Sequence, residues 1–134
     1  MLDLTIRNHA QDAARETVIV APDATLRDVA RSLYLDDVGA AVVSDGQQVL
    51  GVISERDVVQ QLALEDDPDQ SVAQDAMTRH ISTARPDDSL LDLVFQMVDS
   101  GVRHIPVIDT RGQTAGMVSI RDVIRPLLVG IFDG

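Results

Sequence analysis

An α/β (α+β) fold built from two tandem β-α-β-β-α units is predicted by an internal repeat and by the hydrophobic patterning within it. Pro22-Asp23-Ala24-Thr25-Leu26-Arg27-Asp28 recurs 64 residues later as Pro86-Asp87-Asp88-Ser89-Leu90-Leu91-Asp92. Gly51-Val52-Ile53-Ser54-Glu55-Arg56-Asp57 recurs 65 residues later as Gly116-Met117-Val118-Ser119-Ile120-Arg121-Asp122. The extra residue falls in the turn Asp109-Thr110-Arg111-Gly112, where insertions are tolerated. Units of about fifty residues bury little core alone, so the two are expected to pack on each other.

Each unit opens with a short apolar strand, Val18–Val20 or Ile81–Thr83, shortly before a proline that cannot donate to a sheet ladder. A helix follows. Leu26, Val29, Ala30 and Leu33 in the first copy, and Leu90, Leu93, Val94, Met97 and Val98 in the second, fall at 3.6-residue spacing. Next come hairpins, Ala40–Val43 with Val49–Ile53 around Asp45-Gly46, and Ile105–Ile108 with Ala115–Val118 around Asp109–Gln113. These strands are nearly continuous apolar runs and should be buried on both faces. A last helix carries Val58, Val59 and Leu62 in one copy and Val123, Ile124, Leu127 and Leu128 in the other, where Pro126 should bend or shorten it. A further short helix is expected over Asn8–Arg15.

The predicted organisation is an N-terminal segment at 1–17 completing the first unit, a first repeat at 18–64 and an acidic linker at 65–74. A second repeat at 75–130 and a tail at 131–134 follow.

Composition excludes several classes of function. The 134 residues carry 11 Arg and no Lys against 19 Asp and 3 Glu, a formal charge of −11. That balance opposes nucleic-acid binding, which needs cations to displace condensed counterions, and adsorption to anionic membranes. With no Cys there is neither a disulfide frame nor thiolate chemistry. No apolar stretch approaches a membrane span and no signal-peptide core is visible, so a cytoplasmic protein is expected. His9, His80 and His104 are scattered, with no helical pair to hold a transition metal. No strand–nucleophile–helix elbow is present, and no enzyme activity is expected.

The chemically interesting element is the repeated Gly-x-x-Ser-x-x-Asp, closing a strand and opening a helix. A strand-end glycine lets a ligand approach the backbone, and a helix start offers N–H groups to phosphate. The serine hydroxyl can bond a phosphate, and the aspartate can accept both hydroxyls of a ribose. The same spacing is also a helix capping box. Thr25/Asp28, Ser54/Asp57, Ser89/Asp92 and Ser119/Asp122 all fit it, and spacing alone serves either reading.

The double repeat, Asp75-Ala76-Met77-Thr78 before the second unit, Arg103-His104-Ile105-Pro106-Val107-Ile108-Asp109 and both Gly-x-x-Ser-x-x-Asp segments resemble a tandem pair of CBS (cystathionine β-synthase-type) regulatory domains over about residues 12–130. The resemblance implies two pseudo-twofold-related units with two clefts between them that take AMP, ADP or ATP, and less readily S-adenosylmethionine. The resemblance implies no obligatory cofactor. Carried over by position, one site would use Ser119, Arg121 and Asp122, with Arg103 and His104 near phosphates and Thr17 and Val18 against the base. The other would use Ser54, Arg56 and Asp57 with Thr78, Ile81 and Ser82. The first unit has Gly39-Ala40 where the second has Arg103-His104, so the Asp122 site ranks above the Asp57 site for a phosphorylated ligand.

Arg103 and His104 can equally lie on a solvated strand edge, and Arg56 and Arg121 can pair with neighbouring Asp. The resemblance implies a stand-alone ligand-sensing regulatory module that forms a homodimer and acts on a regulated protein the sequence does not identify. The rival reading is a structural or protein-interaction dimerisation module without a small-molecule ligand. A third is the detached regulatory subunit of an enzyme. An apolar helix face of Val123, Ile124, Leu127, Leu128 and Ile131 is available for association.

Overall fold

The computed structural model describes residues 9–133, with side chains to Val129. In chain order these form α1 (Ala10–Ala13), β1 (Ile19–Val20), α2 (Leu26–Asp36), β2 (Ala40–Ser44), β3 (Val49–Ser54) and α3 (Glu55–Ala63). There follow α4 (Ala73–Ala76), α5 (Leu90–Ser100), β4 (His104–Ile108), β5 (Thr114–Ser119) and α6 (Ile120–Asp133). Asn8, the expected start of the first helix, and the Ile131 side chain lie outside the described residues. The chain separates into two compact units, one of Thr17–Ile81 and one joining Ser82 onward to the residues up to Glu16.

In the Thr17–Ile81 unit, β1 runs parallel to β2 in the register Ile19↔Val42 and Val20↔Val43. β2 pairs antiparallel with β3, Ala41 opposite Ile53 and Val42 opposite Val52. Ala40 to Val43 are all buried, as the unbroken apolar run predicts for a strand covered on both faces. α2 packs Leu26, Val29 and Leu33 onto Ala41, Val43 and Ile53, while Ala30 is exposed. Its free N–H groups are met by the linker. Leu26 N–H donates to Ser71 O at 3.0 Å and Arg27 N–H to Pro68 O at 3.0 Å. The Arg27 guanidinium grips Asp69 through both carboxylate oxygens, at 2.6 and 3.1 Å. The acidic linker is thus an ordered turn against the start of α2.

The other unit repeats the pattern. β4 and β5 pair antiparallel, Ile105 opposite Val118 and Val107 opposite Gly116. α5 and α6 cover them with Leu90, Leu93, Met97, Val123 and Leu127. Val98, expected on the buried face of α5, is exposed. The expected strand over Ile81–Thr83 reduces to a single parallel bridge between Ala84 and Val107. By the Pro22/Pro86 repeat, Thr83 and Ala84 stand where the first copy has Ile19 and Val20. The smaller, more polar pair anchors less strand. α6 continues through Pro126 to Asp133, so the proline does not shorten it and the expected tail is largely helical.

The unit boundaries correct the sequence expectation. Residues 9–16 do not complete the first repeat; they complete the second. Ala10 is fully buried among Ala84, Leu90 and Leu93, with Ala10 N–H on Asp88 O at 2.8 Å and Gln11 N–H on Pro86 O at 3.0 Å. Likewise Asp75–Ile81 belongs with the first repeat. Ala73 N–H donates to Ala24 O at 2.8 Å and Gln74 N–H to Pro22 O at 2.9 Å. Each repeat is therefore closed by the segment that precedes the other repeat in sequence. Both segments begin Ala-Gln-Asp-Ala, at 10–13 and 73–76, a signal 63 residues apart that marks them as equivalent.

Candidate functional site

Both Gly-x-x-Ser-x-x-Asp segments run from the end of a strand into a helix, and both form the full capping box. Ser54 N–H and Oγ–H donate to Asp57 Oδ2 at 2.8 and 3.0 Å, and Asp57 N–H returns a bond to Ser54 Oγ at 3.2 Å. Ser119 and Asp122 repeat this at 3.0, 2.8 and 3.2 Å. Oδ2 of each aspartate is thus committed to the local fold, and the two motifs differ in what meets Oδ1.

The motif glycines have a structural reason, which corrects the expectation that they admit a ligand. A Cβ on Gly51 would lie 2.6 Å from Thr78 O and 2.8 Å from Met77 Sδ. One on Gly116 would lie 2.9 Å from both Ala14 Cβ and Arg15 O. The closing segments run hard against the strands here. Thr78 exchanges both backbone bonds with Val52, and Arg15 does the same with Met117.

Several residues singled out from the sequence gather around Ser119 and Asp122. His104 is the register partner of Ser119, and Arg103 O accepts from Ile120 N–H at 2.8 Å. Arg103 is exposed and His104 half-buried. In the first copy Gly39 O and Ala40 hold these places against Glu55 N–H and Ser54, without a cation. Thr78 lies beside β3 in the unit of Ser54 and Asp57, and Arg56 and Ile81 belong to that unit too. Thr17 and Val18 belong to a different unit from Asp122, and Ser82 to a different unit from Asp57. Arg56 and Arg121 are exposed, and among the described residues neither pairs with an aspartate, so the plain ion-pair reading does not hold.

Arg15, Asp12 and Arg125 escaped the sequence reading of the site. Arg15 Nε donates to Asp122 Oδ1 at 2.7 Å, while the Asp122 side chain is only 8% exposed. Beside this pair is a concavity of about 270 Å³ lined also by Asp12, Arg121, Arg125 and Pro126. The signal was the Ala-Gln-Asp-Ala repeat, which places Arg15 at the position of Thr78. Among the described residues no cluster of His, Asp and Glu could hold a metal ion, and no helix is long and apolar enough to cross a membrane.

The doubled unit, the paired caps and the exchanged closing segments point one way, and the CBS domain family matches residues 10–64 and 72–129. The chain belongs to the CBS domain family. A CBS-domain-containing protein of Agrobacterium tumefaciens is similar in structure, with TM-score 0.82, 30% identity and coverage of 90% of this chain and 99% of that one. A CBS domain protein of Pyrobaculum aerophilum, solved in complex with AMP, has TM-score 0.82 at 27% identity, covering 94% and 99%. An uncharacterized 17.7 kDa protein of Acidianus ambivalens is 33% identical over 120 residues, 89% of this chain and 72% of the relative. Across three curated relatives the chain spans 54% to 72% of their length. It thus carries two CBS repeats, each a mixed α+β unit.

Proposed function

We propose that the chain is a regulatory, ligand-sensing module that binds an adenosine nucleotide, AMP, ADP or ATP, through its two Ser-x-x-Asp motifs. The observation that carries this reading is the similarity, over nearly the whole chain, to a CBS domain protein complexed with AMP. It is supported by both motifs being intact, with Asp57 and Asp122 each held by a serine in the same geometry. Oδ1 of each aspartate suits a ribose hydroxyl, and Ser119, Arg121, Arg103 and His104 suit the phosphates. Ser54, Arg56, Thr78 and Ile81 take the corresponding roles with Asp57. Binding acts on a regulated protein only if the nucleotide prefers one conformation over another.

The active form is proposed to be a homodimer. Exposed apolar side chains on the helices support it: Tyr34, Leu35 and Val59 in one unit, Phe95, Val98 and Leu128 in the other. A second reading, a dimerisation module without a ligand, is favoured by one observation. The caps and the closing segments already account for the Gly, Ser and Asp of both motifs.

Thermal melting with AMP, ADP, ATP, NAD and S-adenosylmethionine, with and without magnesium, separates the two. A nucleotide at a hundred to a thousand times its Kd adds about 2–4 kcal/mol of stability. That gain should be lost in a doubly substituted Asp57→Ala, Asp122→Ala protein. No shift with any of these ligands favours the dimerisation module.

A further inference from the structure

The two motifs are alike in their caps and unlike in what meets the second carboxylate oxygen. Arg15 and Thr78 occupy equivalent backbone positions, each exchanging two bonds with the neighbouring strand. Only Arg15 carries a charge, and it places that charge on Asp122 Oδ1. Oδ2 is held by Ser119, so both oxygens of Asp122 are engaged. Among the described residues Asp57 makes no ion pair.

We infer that Arg15 is a specificity-determining latch that makes the Asp122 motif selective for phosphorylated nucleotides over neutral nucleosides. This inference rests on the nucleotide reading above. A ribose diol that approaches Asp122 competes with Arg15 for Oδ1 and weakens the ion pair between them. A neutral nucleoside offers nothing in return. A nucleotide offers its phosphate, and Arg15 moves from carboxylate to phosphate without ever losing an anionic partner. Arg121 and Arg125 line the same concavity and are exposed, so with Arg15 three guanidiniums meet the two carboxylates of Asp12 and Asp122 there. On a chain of charge −11 this is a local reversal of sign. At the Asp57 motif, Thr78 presents no latch and no charge, and a nucleoside meets Oδ1 without displacing a cation. The two motifs of one chain therefore differ in ligand class.

The test is calorimetric titration of AMP and adenosine into the full chain carrying Asp57→Ala, which leaves the Asp122 motif as the site read. AMP should bind about tenfold tighter than adenosine or better, the scale of one charge-assisted hydrogen bond. Adding Arg15→Thr, which imports the residue of the other repeat, should strengthen adenosine and weaken AMP, narrowing that preference several-fold while the remaining cations keep part of it. Arg15→Gln keeps the side-chain length without charge, should behave the same way, and carries the test if the threonine variant does not fold. Arg15→Lys should retain part of the preference. A preference unchanged in both neutral variants overturns the role of Arg15 while leaving nucleotide binding intact. Failure of AMP and adenosine to bind even the unsubstituted chain overturns the nucleotide reading, and this inference with it.

Discussion

The carbonyl oxygen of Thr78 stands 2.6 Å from the point a Cβ on Gly51 would occupy, so backbone, not ligand, fills the space this glycine leaves open. The obstruction is main chain pinned by two hydrogen bonds to Val52 and cannot swing aside. Gly116 faces the equivalent obstruction and also holds φ at +140°, which an L side chain resists.

Gly51→Ala should therefore destabilise the protein by about 1–3 kcal/mol, the cost of overpacking. Gly116→Ala should cost more, because steric and conformational terms add. Gly101, with φ +69° at the end of α5 and open space around it, isolates the conformational term, and Gly101→Ala should cost about 1–2 kcal/mol. Urea denaturation ranks the three. A neutral Gly51→Ala would mean the closing segment yields.

The serines of the capping boxes are predicted to matter to the fold before any ligand is present. Ser54→Ala and Ser119→Ala each remove the acceptor for an aspartate N–H and a donor to its carboxylate. Each should cost about 1 kcal/mol, within the 0.5–2 range of N-cap substitutions, and the two should agree because their geometries do. Chemical denaturation of the ligand-free protein reads this directly. Two silent substitutions would show that the boxes are dispensable to the helices they open.

How far the sequence could be read depended on how local each cause is. The repeat, the buried strands and the capping residues follow from neighbours a few positions away, and Leu26, Val29, Leu33, Leu90, Leu93 and Met97 are buried as their spacing requires. The grouping of candidate residues is local for the same reason: His104 is the register partner of Ser119, Arg103 O accepts from Ile120 N–H, and Asp122 joins Ser119 through the capping box. What escaped was long-range. Arg15 is 107 residues from Asp122, and pairing them requires knowing that residues 9–16 close the second repeat. No periodicity announces that, although the Ala-Gln-Asp-Ala recurrence was there to be used.

Acid titration should expose the linker clamp. Asp69 is held below the ordinary carboxylate range by the hydrogen bond from Arg27, with their Coulomb attraction adding to it. A carboxyl lowered in the folded state contributes stability above its unfolded pKa of about 3.9 and loses it as pH falls through the lowered value. The gap in melting temperature between wild type and Asp69→Asn should thus be widest near neutrality. It should close as pH drops below about 4. Salt should narrow it, since both side chains are exposed. A gap that stays constant down to about pH 2.5 would rule out the ion pair as its source.

The exchange of closing segments predicts where damage at the N-terminus is felt. Ala10 is fully buried among Leu90 and Leu93, although it stands next to the first repeat in sequence. Ala10→Asp forces a carboxylate into that core and should destabilise it by about 2–4 kcal/mol. Hydrogen exchange locates the loss: amides of His104–Ile108 and Thr114–Ser119, Met117 above all, should lose protection, because Met117 N–H donates to Arg15 O. Ala73→Asp is the mirror experiment and should instead open Ala40–Ser44 and Val49–Ser54, where Val52 N–H depends on Thr78 O. If Ala10→Asp weakened the first repeat's hairpin more than the second's, each repeat would be closed by its own leading segment. The equivalence of Arg15 with Thr78, on which the difference between the two motifs depends, would then fail as well.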